Sequence, residues 1–157
     1  MFVIEPHPFA HPYAVRLIDE LQAEYLVRYG TPDETPIETG EFDPPAGLFL
    51  IGLLDGDPVA AGGWRRLAPG VGEIKRMYVA ERARRRGLSR LMMAELESTL
   101  AAAGYEQVVL MSGSAQPEAI ALYESSGYAP IDPYGKYACE PNARFYGKPL
   151  TVGVSRG

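Results

Sequence analysis

Five arginines fall within nine residues of an otherwise acidic chain, in the run RARRRGLSR from Arg82 to Arg90. The chemistry this composition supports is the binding of a phosphorylated ligand. The first N–H groups of a helix have no intrahelical partner and lie at the positive end of its dipole. Gly87, which has no Cβ, would let a diphosphate approach those groups closely, with the Leu88 backbone beside it, and Ser89 adds a hydroxyl donor. Arg84, Arg85, Arg86 and Arg90 supply positive charge from the flanks. The run lacks the Gly-Lys-Ser/Thr of a Walker loop and the three glycines of a dinucleotide fingerprint. By residue type alone, a solvated basic surface at the start of a helix or a patch for nucleic acid reads equally well.

Two elements must hold this run: a strand ending at Val79 and a helix beginning near Leu88. In that helix Leu88, Leu91, Met92, Leu96, Leu100 and Ala103 form one stripe, and Gly104 ends it. Upstream, Leu48–Leu54 and Val59–Leu67 are apolar runs joined by Asp55-Gly56, a hairpin signal. Pro69-Gly70-Val71-Gly72 turns into Glu73–Val79, where Ile74, Arg76 and Tyr78 alternate with Lys75, Met77 and Val79. Three successive antiparallel strands follow from this. The chain opens with a short strand, Phe2–Ile4. A helix from Pro12 comes next, with Val15, Ile18, Leu21, Gln22, Tyr25 and Tyr29 near one face and Gly30 as its stop. Thr31–Pro45, with four prolines and five acidic residues, reads as a long functional loop. Downstream come a buried strand at Gln107–Met111, a short helix at Pro117–Ser126, and two last strands at Tyr128–Ile131 and Arg144–Leu150. The expected class is α/β: a mixed, mostly antiparallel sheet of about six or seven strands with helices on both faces.

The 157 residues are expected to form a single domain, 1–157. With 46% hydrophobic and 22% charged residues, the composition is that of a packed globular protein. Fifteen Lys+Arg against 20 Asp+Glu give a net charge of -5, the wrong sign for a general nucleic-acid binder. The single cysteine, Cys139, forms no intrachain disulfide. His7 and His11 lie far from the arginine run, and no metal-ligand spacing appears, so no metal is expected. The longest apolar run, Ala46–Leu54, is too short to span a bilayer. The N-terminal segment lacks a positive n-region, and a cytoplasmic protein without membrane partners is the expectation.

Arg84-x-x-Gly87-x-Ser89, after a strand ending Met77-Tyr78-Val79, resembles the pyrophosphate loop of the GNAT superfamily of acyl-CoA-dependent N-acetyltransferases, Gln/Arg-x-x-Gly-x-Gly/Ala. Ser89 is a small-residue departure from that pattern. Ala119-Ile120-Ala121-Leu122-Tyr123-Glu124-Ser125-Ser126-Gly127-Tyr128 is similar to the family's Ala-x-x-Leu-Tyr-x-x-x-Gly-Phe/Tyr signature. The resemblance implies a GNAT fold and acetyl-CoA as cosubstrate. It also implies that the strand holding Met77, Tyr78 and Val79 splays from Gln107–Met111, with the pantetheine arm in the gap bonded to main chain at Met77 and Val79. Arg84–Arg90 would supply the diphosphate donors. Gln116 stands where the family often has an Asn on the pantetheine arm, and Ala119 opens the second motif.

Tyr123 matches the tyrosine that protonates the departing thiolate, a sensible pairing of a phenol of pKa ~10 with a thiol of ~8.5. From spacing alone, Tyr123 reads as a core aromatic beside Leu122. Glu73 resembles in position the acidic residue that several family members use as a base through water. By itself it reads equally as a carboxylate paired with Lys75 or Arg76. Tyr134, Tyr137 and Tyr146 are candidates to line the acceptor site. The family also commonly forms homodimers through its C-terminal strands.

The acceptor cues conflict. Arg65, Arg66, Lys75 and Arg76 lie on neighbouring strands, and one pointing into the cleft would pair with a substrate carboxylate, favouring an amino-acid-like amine. Asp33, Glu34, Glu38, Glu41 and Asp43 favour a cationic acceptor such as a polyamine, an aminoglycoside or a peptide amine. The expectation is a primary amine of a small molecule, amino-acid-like. The alternative class is a GNAT-fold module that binds CoA without catalysis.

Overall fold

The computed structural model describes residues 1–35, 37–38 and 40–150. The expectations for 36 and 39 in the long loop, and for 151–157 at the end of the domain, lie outside the described residues. In chain order the elements are β1 (Phe2–Pro6), α1 (Pro12–Tyr29), β2 (Gly47–Leu54), β3 (Asp57–Ala68), β4 (Val71–Val79) and α2 (Leu88–Ala102), then β5 (Gln107–Gly113), α3 (Pro117–Ser125), β6 (Ala129–Pro130) and β7 (Ala143–Pro149). The strands form one seven-stranded sheet in the order β1-β2-β3-β4-β5-β7-β6. Every pairing is antiparallel except β4 with β5.

Local chemistry sets the boundaries. Asp55 and Gly56 adopt φ of 51° and 85°, the two left-handed residues that let a tight hairpin follow the twist of its strands. At the start of α1, His11 Nδ1 accepts from the Tyr13 N–H at 3.1 Å, and Pro12 sits where no donor is needed. Gly30, at φ 77°, closes the helix by donating its N–H to Leu26 O. The buried stripe of α1 is Ala14, Leu17 and Leu21, continuing into Tyr25. Val15, expected on that stripe, is 47% exposed, because the helix presents Ala14, Leu17 and Leu21 to the sheet. On α2, Leu88, Met92, Met93, Leu96 and Leu100 are buried and Leu91 faces solvent.

The helices cover both faces of the sheet. On one side α2 comes close because β3 and β4 offer glycines beneath it. A Cβ on Gly72 would stand 2.4 Å from Leu100 Cδ2, and one on Gly62 would stand 3.1 Å from Leu96 Cδ1. Trp64 Nε1 donates to Thr99 Oγ1 at 3.0 Å on this face. Leu96 and Leu100 are fully buried, and truncating either to Ala would cost ~2–5 kcal/mol. On the other side lie α1 and the loop after it, with Phe42 packed against Phe9 and Phe49 at ring distances of 5.0 and 5.6 Å.

Two irregularities in β4 shape the cleft beside it. Ala61 pairs with Tyr78 and Gly63 with Lys75, so two residues of β4 oppose Gly62 alone. Arg76 adopts φ 58° at this bulge. A bulge breaks side-chain alternation. The regular two-faced strand expected for Glu73–Val79 is therefore corrected: Lys75 and Arg76 both reach Asp33 of the loop after α1. Secondly, β4 and β5 are paired only over Val71–Glu73 and Gln107–Val109. Beyond those residues the two strands part.

Candidate active site

The parting of β4 and β5 opens a cavity of about 230 Å³. Ile74, Lys75, Arg76 and Met77 form one wall and Leu110, Met111, Ser112 and Gly113 the other. Tyr25 and Tyr29 of α1, Asp33, Gln116, Tyr123 and Tyr137 complete the lining. A strand whose neighbour has left retains unpaired backbone groups, so this wedge offers main-chain hydrogen bonding that a closed sheet would have used up.

Tyr123 is the buried residue of α3, fixed among Tyr128 and Tyr146 at ring distances of 6.1 Å each. Burial, with the nearby Tyr29, pushes its phenol up to about 12. Among the described residues its hydroxyl has no hydrogen-bond partner, and Tyr123 is part of the cavity lining. Gln116, the residue before α3, lines the same cavity and donates from Nε2 to Tyr29 Oη at 3.0 Å. Tyr29 in turn lies against the backbone of β5: a Cβ on Gly113 would stand 1.9 Å from the Tyr29 hydroxyl oxygen. Met77 is in the cavity wall, while the Tyr78 side chain turns to α1, where its hydroxyl donates to Glu20 at 3.2 Å. Ala119 lies in the first turn of α3 and packs on the core rather than in the cavity lining.

The arginine run divides into two sets. Arg84 Nε donates to Val79 O at 2.9 Å and its Nη2 to Glu24 at 2.7 Å, tying the loop to β4 and α1. Arg82 pairs with Asp57 at 3.2 Å and holds Pro58 O. Arg85, Arg86 and Arg90 are exposed around Gly87, and Arg90 reaches Ser125 Oγ at 3.0 Å. Gly87 adopts φ 75° at the N-terminus of α2, and nothing lies within 4 Å of where its Cβ would be. No side chain among the described residues caps the helix there. The N–H groups of Leu88, Ser89 and Arg90 thus face an open, positively flanked cradle, which fits a diphosphate.

Glu73 is buried and fully engaged. Arg65, its cross-strand partner, donates from Nε to Oε1 at 3.0 Å, and Tyr134 donates its hydroxyl to Oε2 at 3.0 Å. Burial, then Glu73 beside it, holds the Tyr134 phenol protonated far above its ordinary range. Arg65 also binds Glu41 of the loop at 2.7 Å. Glu73 and Tyr134 line a smaller neighbouring cavity, which shares Lys75, Met111 and Tyr137 with the main one.

Of the tyrosines expected near an acceptor, Tyr137 is in the main cavity, Tyr134 in its neighbour, and Tyr146 points to Glu124 at 3.3 Å. Arg66 is exposed; Arg65 is the buried member of that pair. Tyr25, Tyr29 and Ser112 line the cavity without having been expected there. The two tyrosines had a signal, since they extend the Leu21 stripe at intervals of four. Asp33, expected as a cue to a cationic acceptor, is instead paired with Lys75 and Arg76 of β4.

Asp33 joins the loop to the bulge. Its Oδ2 accepts from Lys75 Nζ at 2.9 Å and from Arg76 Nη1, while Oδ1 accepts from Thr35 N at 2.9 Å and Thr35 Oγ1 at 2.7 Å. Burial would raise this carboxyl, but Lys75, Arg76 and Thr35 together hold it well below the usual carboxylate range.

Residues 14–128 match the Acetyltransferase (GNAT) family. The chain is 31% identical over 137 residues to the IAA acetyltransferase of Azospirillum brasilense, covering 87% of this chain and 90% of that one. Among solved structures, one from Klebsiella pneumoniae, provisionally named an acyl-CoA N-acyltransferase, superposes with a TM-score of 0.83 at 25% identity, covering 96% of this chain and 98% of that chain. A GNAT family acetyltransferase from Elizabethkingia anophelis, solved with acetyl-CoA bound, has the same fold at 16% identity and a TM-score of 0.68, over 95% and 98% of the two chains. The chain belongs to the GNAT family and is an N-acetyltransferase. Members of this family use acetyl-CoA and act on amine acceptors. Among the described residues no group of His, Cys, Asp and Glu could hold a metal ion, and no helix is long and apolar enough to cross a membrane.

Proposed function

We propose that this protein transfers the acetyl group of acetyl-CoA to the primary amine of a small molecule, both bound together. The observation that carries the reading is the wedge between β4 and β5, where strand pairing stops at Glu73 and Val109 and Tyr123 is part of the lining. When bound, acetyl-CoA supplies an acetyl group activated as a thioester and a leaving thiolate that needs a proton.

The α2 N-terminus holds the diphosphate through the N–H groups of Leu88, Ser89 and Arg90, with Arg85, Arg86 and Arg90 adding charge from outside. Arg84 acts by fixing the loop, since its own guanidinium is committed to Val79 and Glu24. The backbone at Met77–Val79 and the side chain of Gln116 orient the pantetheine arm, and main-chain N–H groups beside Met77 polarise the acyl oxygen. Tyr123 holds its proton at Oη for the departing sulfur. Burial that raises the phenol to about 12 keeps Oη protonated at every working pH and also makes it a weaker acid toward the thiolate. Glu73 takes the proton that the amine must lose, reached through water. Its anchoring by Arg65 and Tyr134 keeps the carboxylate in place.

Calorimetric titration with acetyl-CoA, with CoA and ATP in parallel at two salt concentrations, tests the cofactor. Saturable binding of acetyl-CoA, followed by thiol release on adding amines, is the expected result. Absence of binding to either CoA species would overturn the reading, and affinity for any polyanion that falls steeply with salt would replace it.

A further inference from the structure

We infer that the acceptor amine carries a carboxylate, and that Lys75 and Arg76 bind it at the β4 wall of the cavity. This rests on the acetyl transfer proposed above and names its acceptor class.

The bulge puts two cationic side chains side by side in the lining of one cavity, and each is only 6% exposed. Among the described residues their one acidic partner is Asp33, and they share a single oxygen of it, Oδ2. The other oxygen is taken up by Thr35. Asp33 is itself fixed to α1, accepting at its carbonyl from Gln22 Nε2 at 3.1 Å and donating its N–H to Gln22 Oε1 at 2.8 Å. Two buried positive charges therefore meet one immobile negative charge. Buried charge without a counter-ion is costly, and a ligand anion completes the set.

Unused donors point the same way. Among the described residues, Arg76 Nε and Ser112 Oγ, both on cavity-lining residues more than nine-tenths buried, have no hydrogen-bond partner. Lys75 Nζ and Arg76 Nη2 each find a further acceptor on Thr35, at 3.3 Å, which leaves Arg76 Nε and Ser112 Oγ as the unpaired groups of this wall among the described residues.

Arg65 pairs with Glu41 and with Glu73, and Glu73 is the one carboxylate among the residues that line the neighbouring cavity. The same arrangement answers the acidic loop: Asp33 and Glu41 are already paired with β4 and β3, so a polyamine at this wall would meet Lys75 and Arg76.

The test pairs L-phenylalanine, L-methionine and β-alanine each with its decarboxylated amine and its primary amide, scoring acetyl-CoA-dependent thiol release. The carboxylate-bearing member is expected to show a kcat/KM higher by roughly ten- to a hundredfold, the worth of a hydrogen-bonded charge. Lys75→Met should remove that preference and Lys75→Arg retain it. The wild-type panel decides even where a variant folds poorly. Equal turnover of acid, amide and amine overturns the inference, as does a preference for the uncharged members. Acetyl-CoA binding with no carboxylate-bearing amine accepted also overturns it and leaves the cofactor reading intact. Failure to bind acetyl-CoA at all overturns the transfer reading and this inference with it.

Discussion

The guanidinium of Arg76 and the carboxylate of Asp33 form a buried ion pair between positions 43 residues apart, one on a strand bulge and the other on the loop after α1. The pair joins the splayed strand to the loop that covers the cavity. It exists because the left-handed Arg76 turns its side chain to the face already used by Lys75. Lys75, on the same strand, holds the same Asp33 oxygen at 2.9 Å.

Asp33→Asn is expected to destabilise the protein by about 3 kcal/mol or more, since it leaves two buried cations without a counter-ion. The sign with pH follows from the lowered carboxyl. A group whose folded pKa is depressed contributes stability above its unfolded pKa of ~3.9 and loses it as pH falls toward the folded value. The gap between wild type and variant should be constant from about pH 5 to 8 and narrow below about pH 4. Urea unfolding across this range measures it, and a gap that widens in acid would contradict the assignment.

Tyr123→Phe is expected to lower kcat by roughly a hundredfold, with acetyl-CoA affinity little changed, because only the leaving thiolate loses its proton donor. With the phenol raised to about 12, the wild-type rate should show no falling limb from this group below pH 10. Full turnover in the variant would remove Tyr123 from the mechanism.

Glu73→Gln keeps the shape of the side chain and removes its basicity. Its rate deficit is expected to be on the order of a hundredfold at neutral pH and to shrink as the amine deprotonates unaided. A deficit independent of pH would instead make Glu73 a structural partner of Arg65 and Tyr134.

Gly87→Glu places a carboxylate in the open space at the start of α2. Acetyl-CoA binding should become undetectable by calorimetry. The left-handed backbone adds a strain of about 1–2 kcal/mol, so the melting temperature should fall by only a few degrees. Retained binding would show that the diphosphate lies elsewhere.

Much of this architecture is written locally. The Asp55-Gly56 hairpin, the Gly30 stop and the uncapped glycine before α2 each follow from what a residue's own backbone can adopt, and the element order with its seven-stranded mixed sheet came from such signals. The bulge at Arg76 was illegible because no glycine marks it, and the strand reads as regular alternation. The conflicting acceptor cues were two halves of one set of ion pairs, Asp33 with Lys75 and Arg76, and Glu41 with Arg65. Neither half could be assigned without knowing which face of the sheet the loop crosses.

Gly113 and the Tyr29 hydroxyl occupy one space, since any Cβ at position 113 would overlap that oxygen. The two sites are bound to a common fate. A lineage that acquires a side chain at 113 must first have moved or given up the phenol at 29, whereas losing the phenol leaves the glycine free to drift. Across related chains the two positions should therefore change in a fixed order, and a chain with alanine at 113 and tyrosine at 29 should be rare.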